Sequence, residues 1–275
     1  MITVELRKLV LRPRVWLSIL LLCAVPALVA VLLSISNLAP PPGQGGAFLS
    51  AVLDNGSLYP AAALAMVLPV FLPLAVAVYA GDAIAGESAT GMLRYLLVRP
   101  VGRLRLLSAK MAALIVYIVL AMIIVVVFSF AVGVALFGTG AEAVGQPGSV
   151  TSLSGASLDP SELALRLMMA VGYIAMSMLG FGTIALFWST LSDSALGAAL
   201  ASLAVLIASS IMQTLDAADP LKPYLPTNYW LSWIDFFRDP IFWDNINKGL
   251  LLQAGYIVVF FGASWANFGT KDITS

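Results

Sequence analysis

The sequence predicts an all-α, polytopic membrane protein with six transmembrane helices, and three observations carry that prediction. Of its 275 residues, 61% are hydrophobic and 10% charged, and the mean hydropathy is +0.99. A water-soluble domain of this size needs a polar shell that so few charges cannot supply. Six apolar stretches, at about 15–36, 58–80, 110–137, 163–188, 195–214 and 249–268, reach the roughly 20 helical residues that a hydrocarbon core of about 30 Å requires. No alternating barrel-strand pattern appears, and a helix satisfies its own backbone in lipid. The third observation is where the cations fall. With the amino terminus inside, ten Lys and Arg lie on the inner side against four outside, and the loops at 37–57 and 138–162 hold none. The positive-inside rule then places both termini in the cytosol.

Composition also excludes function classes. The net charge is zero, which gives no field for nucleic acid or for an acidic partner. There is no histidine, so His haem ligation, most zinc sites and His-based acid–base catalysis drop out. The single cysteine, Cys23, lies in an apolar run and cannot form an intrachain disulfide. No internal repeat or long linker divides the chain, which reads as one domain over 1–275.

The first fourteen residues, MITVELRKLVLRPR, put Ile2, Leu6, Leu9, Val10 and Pro13 on one helical stripe and gather Glu5, Lys8 and Arg12 away from it. This pattern predicts an amino-terminal helix in the inner interface that turns into the membrane near Arg12-Pro13. The apolar run that follows exceeds the 7–15 residues of a secretory h-region and reads as a retained first span. Pro69 and Pro73 are expected to kink the second span.

Residues 81–110, GDAIAGESATGMLRYLLVRPVGRLRLLSAK, are the longest polar, Arg-rich segment on the inner side. Pro100 should end a helix at or before Arg99. Upstream, Met92, Tyr95, Leu96 and Arg99 recur at helical spacing, giving a short helix with an apolar side and a basic side. Asp82 and Glu87 precede the cations, consistent with helix-dipole placement and local ion pairs. As a structural matter, such arginines are ordinary positive-inside residues beside lipid phosphate.

On the outer side, Asp159-Pro160-Ser161-Glu162 supplies an N-cap, a first-turn proline and an acidic residue for the fourth span, with Arg166 one turn beyond Glu162. Gly172 and Gly180 give that span a small-residue face. In the fifth span Ser202, Ser209 and Gln213 share one face. Trp230, Trp233, Ile234 and Phe237 recur at i, i+3, i+4 and i+7 between spans five and six. They predict short amphipathic helices in the outer interface with Trp at headgroup depth, or equally an aromatic belt that anchors the sixth span. Ionisable residues are almost absent from the spans. Proton- or sodium-coupled carriers usually retain such groups despite a cost of about 2.5–3.5 kcal/mol each.

The run GD-x-x-AGE-x-x-x-G-x-LRYLL-x-RPV-x-R-x-RLL-x-AK resembles the cytosolic segment of ABC-2-type permeases, the six-span membrane subunits of ATP-binding-cassette transporters. The amino-terminal ELRKL-x-x-RPR and the closing Phe268-Gly269-Thr270-Lys271-Asp272-Ile273 are similar to that family too. Met92 stands where the family commonly has Thr. The resemblance implies a coupling helix at about 81–100 that meets the nucleotide-binding subunit through Glu87, Gly91, Arg94, Arg99, Pro100 and Arg103. It implies a substrate path along spans two and five, near Pro69, Pro73, Ser202, Ser209 and Gln213. It also implies outer re-entrant helices carrying Trp230, Trp233 and Phe237. No catalytic residue, cofactor or metal is expected on this chain, which has no G-x-x-x-x-G-K-[ST] phosphate loop. ATP and Mg would sit on a partner ATPase subunit. The other expected partners are a second permease copy, identical or related, and the lipid bilayer, with no nucleic acid. Localisation in a bacterial-type inner membrane and export of a hydrophobic or amphipathic molecule follow the same resemblance. The competing readings are a secondary carrier or channel, and an intramembrane enzyme or assembly factor. Both are disfavoured by the lack of charges and catalytic pairs in the spans.

Overall fold

In the computed structural model the described residues are 1–36, 55–91, 102–139, 150–151 and 157–270. Helix α1 (Ile2–Leu11) stops at Arg12, whose extended ψ of 117° precedes Pro13, and α2 (Pro13–Ser36) starts there. The Trp16 indole closes this corner by donating to the Val10 carbonyl at 2.8 Å. After a 3-10 turn at Gly56–Leu58 come α3 (Tyr59–Val67) and α4 (Phe71–Asp82), bent by 60°. The expected kink therefore exists, and its cause is plain: neither Pro69 nor Pro73 has an N–H to donate to the carbonyl four residues back, at Ala65 and Pro69.

Short α5 (Ala85–Ala89) follows, then α6 (Arg103–Phe137), closed by Gly138 at φ +73°, a conformation that disfavours any side chain. A two-residue antiparallel ladder, Val150–Thr151 with Ser157–Leu158, precedes α7 (Pro160–Leu191). Helix α8 (Ala195–Thr214) is capped by Ser194, whose hydroxyl accepts from the Gly197 amide at 3.3 Å. Three 3-10 turns, at Asp216–Ala218, Lys222–Tyr224 and Trp230–Phe237, lead into α9 (Trp243–Thr270). Among the described residues, α2, α6, α7, α8 and α9 are each long and apolar enough to cross a membrane, and the bent α3–α4 pair is either a sixth, broken span or a re-entrant loop.

Helix α7 is the most enclosed of these and packs on α9, α4 and α8, while α6 packs on α2, α3 and α1. One core cluster runs through these five helices and the α3–α4 pair. A second, small one joins Ile84, Leu106, Leu107, Leu186 and Phe268 directly beneath α5.

Four sequence expectations change. Helix α6 begins at Arg103 rather than near 110, so its 35 residues span about 52 Å. Lys110, expected at the mouth of the third span, sits inside the helix and is 4% exposed. The polar stripe of α1 faces the protein instead of solvent: Glu5 is buried, while Ile2, Val10 and Leu11 are more than half exposed. Trp230, Trp233 and Phe237 lie on a 3-10 turn whose three-residue repeat stacks Trp230, Trp233 and Phe236 on one side. All four rings are buried, on a turn packed against α7 and α9. Phe181 meets Trp230 edge-on at 5.9 Å, and Tyr173 meets Phe236 at 6.3 Å. Of the two glycines expected to give α7 a small-residue face, Gly180 is pressed against Gln253 of α9, whereas a side chain at Gly172 would meet open space.

Candidate functional site

At the end of the bundle that carries α1 and α5, six charged side chains converge from four helices and the α1–α2 corner. Glu5 and Lys8 come from α1, Arg12 from the corner, Asp82 from the end of α4, Glu87 from α5 and Lys110 from α6. Glu87 is 2% exposed, and its Oε1 accepts from Lys110 Nζ at 2.5 Å and from Lys8 Nζ at 2.8 Å. Glu5 completes a ring by pairing with Lys8 at 2.9 Å and with Lys110 at 2.9 Å. Arg12 donates to Asp82 Oδ2 at 2.8 Å and comes within 4.0 Å of Glu87.

Two carboxylates and two ammonium groups cancel within the ring, which is the condition under which buried charge is tolerated. Burial alone would raise the Glu5 carboxyl. The charge and hydrogen bond of Lys110, then those of Lys8, outweigh it and hold the group below the usual carboxylate range. Burial alone would likewise lower Lys8, but its hydrogen bonds to Glu87 and Glu5 raise it above the usual lysine value.

A second tether comes from α7. Between α4 and α5 the helix breaks, and the fully buried Ser189 hydroxyl accepts from the amides of Ile84 at 3.0 Å and Ala85 at 2.9 Å. The same hydroxyl donates to the Gly81 carbonyl at 2.7 Å. One side chain thus satisfies three backbone groups that the break leaves open. Gly81 itself lies so close to Ala199 that a Cβ there would stand 2.9 Å from the Ala199 nitrogen.

A third tether involves Arg103 at the start of α6. It donates to the carbonyls of Phe268 at 3.0 Å and Gly269 at 2.8 Å, the negative end of the α9 dipole. Asn267 adds a 2.9 Å bond to Thr190 of α7.

Of the six residues expected at the coupling segment, the structure brings Glu87 into the charge ring and Arg103 onto α9. Gly91 lies just past α5 at φ +70° with open space around it, a turn that suits glycine. Arg94, Arg99 and Pro100 lie outside the described residues. The segment is not continuous with α4: the helix breaks at Ala83–Ile84, and Ser189 bridges the break. Sequence reasoning missed Glu5, Lys8, Lys110 and Ser189. The first two had a signal, since Glu5, Lys8 and Arg12 share one face of a short helix. Ser189 had none, being one hydroxyl near the end of a long apolar helix.

The residues expected along a substrate path are not gathered in one place. Pro69 and Pro73 make the bend, and Ser202 bonds its own helix through the Ala199 carbonyl at 2.7 Å. Ser209 and Gln213 both hold Thr227, at 2.7 and 2.5 Å. That fixes the stretch before the buried Trp230 turn to α8. At the same end Arg166, 4% exposed, pairs with Glu162 at 2.5 Å and donates to the carbonyls of Phe236 at 3.2 Å and Arg238 at 2.7 Å. It is a clamp on the 3-10 turn, where the sequence suggested only a helix-start pair. Among the described residues no group of three or more Cys, Asp or Glu is placed to hold a metal ion.

Among curated proteins none matches the chain. The family model described as ABC-2 family transporter protein matches residues 1–179, which take in α1 to α6, the charge ring and the first part of α7. The chain belongs to this family: it is a multi-pass membrane permease of an ABC transporter, a membrane subunit that pairs with an ABC ATPase subunit rather than being the ATPase.

Proposed function

We propose that this permease exports a hydrophobic or amphipathic molecule, driven by ATP hydrolysis on the partner subunit and transmitted through the segment at about 81–100. In this reading the chain acts as one domain, in two copies per transporter, in a bacterial-type inner membrane. Both of its ends are cytosolic, and ATP and Mg belong to the partner. The observation that carries the reading is the ring of Glu5, Lys8, Glu87 and Lys110. A push on α5 is delivered through it to α1 and α6, and through Ser189 to α7, without first deforming a loop. Orientation is supported by helix length as well as by the Lys and Arg asymmetry. Helix α6, at about 52 Å, exceeds a hydrocarbon core of about 30 Å, so the turns around Lys110 can stand in the aqueous interface. Export is supported by the resemblance, since ABC-2 permeases are mostly exporters.

The test is to purify the permease with its ATPase partner and compare Glu87→Gln and Arg94→Glu with the wild type in liposomes. The expected result is normal assembly, basal ATP hydrolysis retained, and both transport and substrate-stimulated hydrolysis lost. Variants that assemble and keep full stimulated hydrolysis would overturn the coupling role. An impermeant reagent labelling an engineered cysteine in 92–99 from outside intact cells would overturn the orientation.

A further inference from the structure

Among the described helices, α7 and α9 pack on each other most extensively, and both run from the Trp230 end of the bundle toward the charge ring. Their seam is built in layers. Gly249 of α9 faces the Tyr173 hydroxyl, and Gly180 of α7 faces the Gln253 amide. Phe187 then meets Phe260 edge-on at 5.6 Å, and Asn267 bonds Thr190. On α7, Tyr173, Gly180 and Phe187 recur every seven residues, the repeat that keeps one seam on a near-parallel partner. Neither helix has a break, or a proline beyond its first residue, so each is stiff along its length.

In two of these layers a polar side chain sits on a glycine of the opposite helix, and a Cβ on either glycine would collide with it. Both polar tips then reach out of the seam to one stretch of backbone. Tyr173 donates to the Tyr229 carbonyl at 2.6 Å, and Gln253 donates to the Pro226 carbonyl at 2.8 Å. Gln253 is buried, and its Oε1 has no partner among the described residues, a cost that a Met of similar shape would not carry. The donated bond is what the glutamine adds. Three residues further along α9, Tyr256 donates to the Tyr224 carbonyl at 2.7 Å, while Ser209 and Arg166 hold the rest of the segment. Toward the charge ring, Ser189 lies 16 residues beyond Tyr173, about 24 Å along the same helix.

We propose that Tyr173 and Gln253 are positioning residues that make 224–238 the far end of a stiff α7–α9 strut. The segment then travels with the strut during transport and does not open as a separate lid. Two knobs seated on opposite glycines oppose both sliding and rotation of α7 against α9, so the two helices move as one. A displacement delivered at Ser189 or at the Arg103 contact with α9 therefore reaches the segment undiminished. That the strut is driven from α5 rests on the coupling reading above; that the segment is fixed to the strut does not.

The test uses the permease–ATPase complex in nanodiscs, with Cys23→Ala to remove the native thiol. Ser209→Cys and Thr227→Cys replace two hydroxyls that touch at 2.7 Å, so oxidation ties the segment to α8, which an opening lid would have to leave. The disulfide should form at the same rate without nucleotide and with ATP and vanadate, and ATP hydrolysis should be unchanged by it. Crosslinking that slows with nucleotide, or hydrolysis that falls on oxidation and returns on reduction, would reveal a lid and overturn the proposal. So would a pair that never crosslinks. Hydrogen exchange then tests the strut itself. Gln253→Met should speed exchange of the amides at 227–230 about fivefold, the weight of one neutral hydrogen bond. Gly249→Ala, which drives the Tyr173 hydroxyl off its seat, should do at least as much, and adding Tyr173→Phe should restore part of the protection. Exchange that neither single variant changes, or a double variant less protected than Gly249→Ala alone, would overturn the seating. None of these readouts depends on coupling. A Glu87→Gln variant that stays coupled, with crosslink and exchange as expected, sinks only the energisation reading, and the reverse pattern sinks only the strut.

Discussion

Replacing Glu87 with Gln keeps the shape of the side chain and removes its charge from a site that is 2% exposed. Lys8 and Lys110 would then face the single carboxylate of Glu5, at 2.9 Å from each. Breaking a buried ion pair by neutralising one partner costs about 3–5 kcal/mol, and because Glu5 remains, the lower end applies. At about 2 °C of melting temperature per kcal/mol for a chain of this size, Glu87→Gln should melt roughly 6 °C below wild type. Lys110→Met alone leaves Glu87 with Lys8, and Glu5 with the same Lys8, so it should fall by a similar amount. The double variant Glu87→Gln/Lys110→Met leaves one carboxylate and one ammonium, Glu5 and Lys8, as a neutral pair. Its loss should be about 4 kcal/mol rather than the roughly 6 kcal/mol that independent sites would give, a coupling energy of about 2 kcal/mol. The assay is scanning fluorimetry of the four proteins, each purified with its ATPase partner at one detergent and one salt concentration. If the two single losses simply add in the double variant, the ring is not an energetic unit. The transmission argument built on it then fails.

Three further outcomes follow from the same geometry. Ser189→Ala should leave two amides and one carbonyl unsatisfied at the α4–α5 break, at about 1–3 kcal/mol, and should release α5 into measurable hydrogen exchange. Protection of Ile84 and Ala85 unchanged in that variant would remove the tether. Arg166→Met should destabilise through two uncovered carbonyls, those of Phe236 and Arg238, and increase the solvent exposure of the tryptophans on the turn. A tryptophan emission spectrum that does not shift to the red would contradict this. For pH, the sign differs between the two ring members. Glu5, lowered in the fold, stabilises above the ordinary carboxyl value of about 4.3 and loses that contribution as pH falls through its folded value. Lys8, raised in the fold, stabilises below about 10.4 and loses its contribution as pH rises through its folded value. With no histidine in the chain, the melting temperature should be flat from about pH 5 to pH 9. A slope between pH 6 and 8 would show that some other group sets stability.

The crossings were legible because lipid imposes one rule on every residue of a span, so length and apolarity suffice to find them. The Pro69–Pro73 bend was legible for a similarly local reason, since each proline deletes its own backbone bond. Periodicity failed where the helix type changed. Trp230, Trp233, Ile234 and Phe237 fit an α-helical repeat, yet the chain takes a 3-10 path there. The added ring, Phe236, is the one a three-residue repeat brings into line. Arg166 could be paired with Glu162 from sequence, but its two carbonyl partners lie 70 and 72 residues away and nothing local announces them.

The charge ring shows a different limit, and it bears on how a five-residue helix can act as a lever. A helix as short as α5 is not stable by itself, so stiffness has to be supplied from outside. Continuity with spans two and three is one way to supply it, and the break after Asp82 removes that source on one side. What replaces it is contact across long separations: Lys8 lies 79 residues from Glu87, Ser189 lies 104 from Ala85, and Lys110 lies 23 from Glu87. Each contact comes from a different helix, so rotation of α5 about any one of them is opposed by the other two. A segment held in this way moves its neighbours or does not move at all. That property would let a force applied at α5 reach α1, α6 and α7 together. Cutting one attachment should therefore uncouple the machine before it unfolds it.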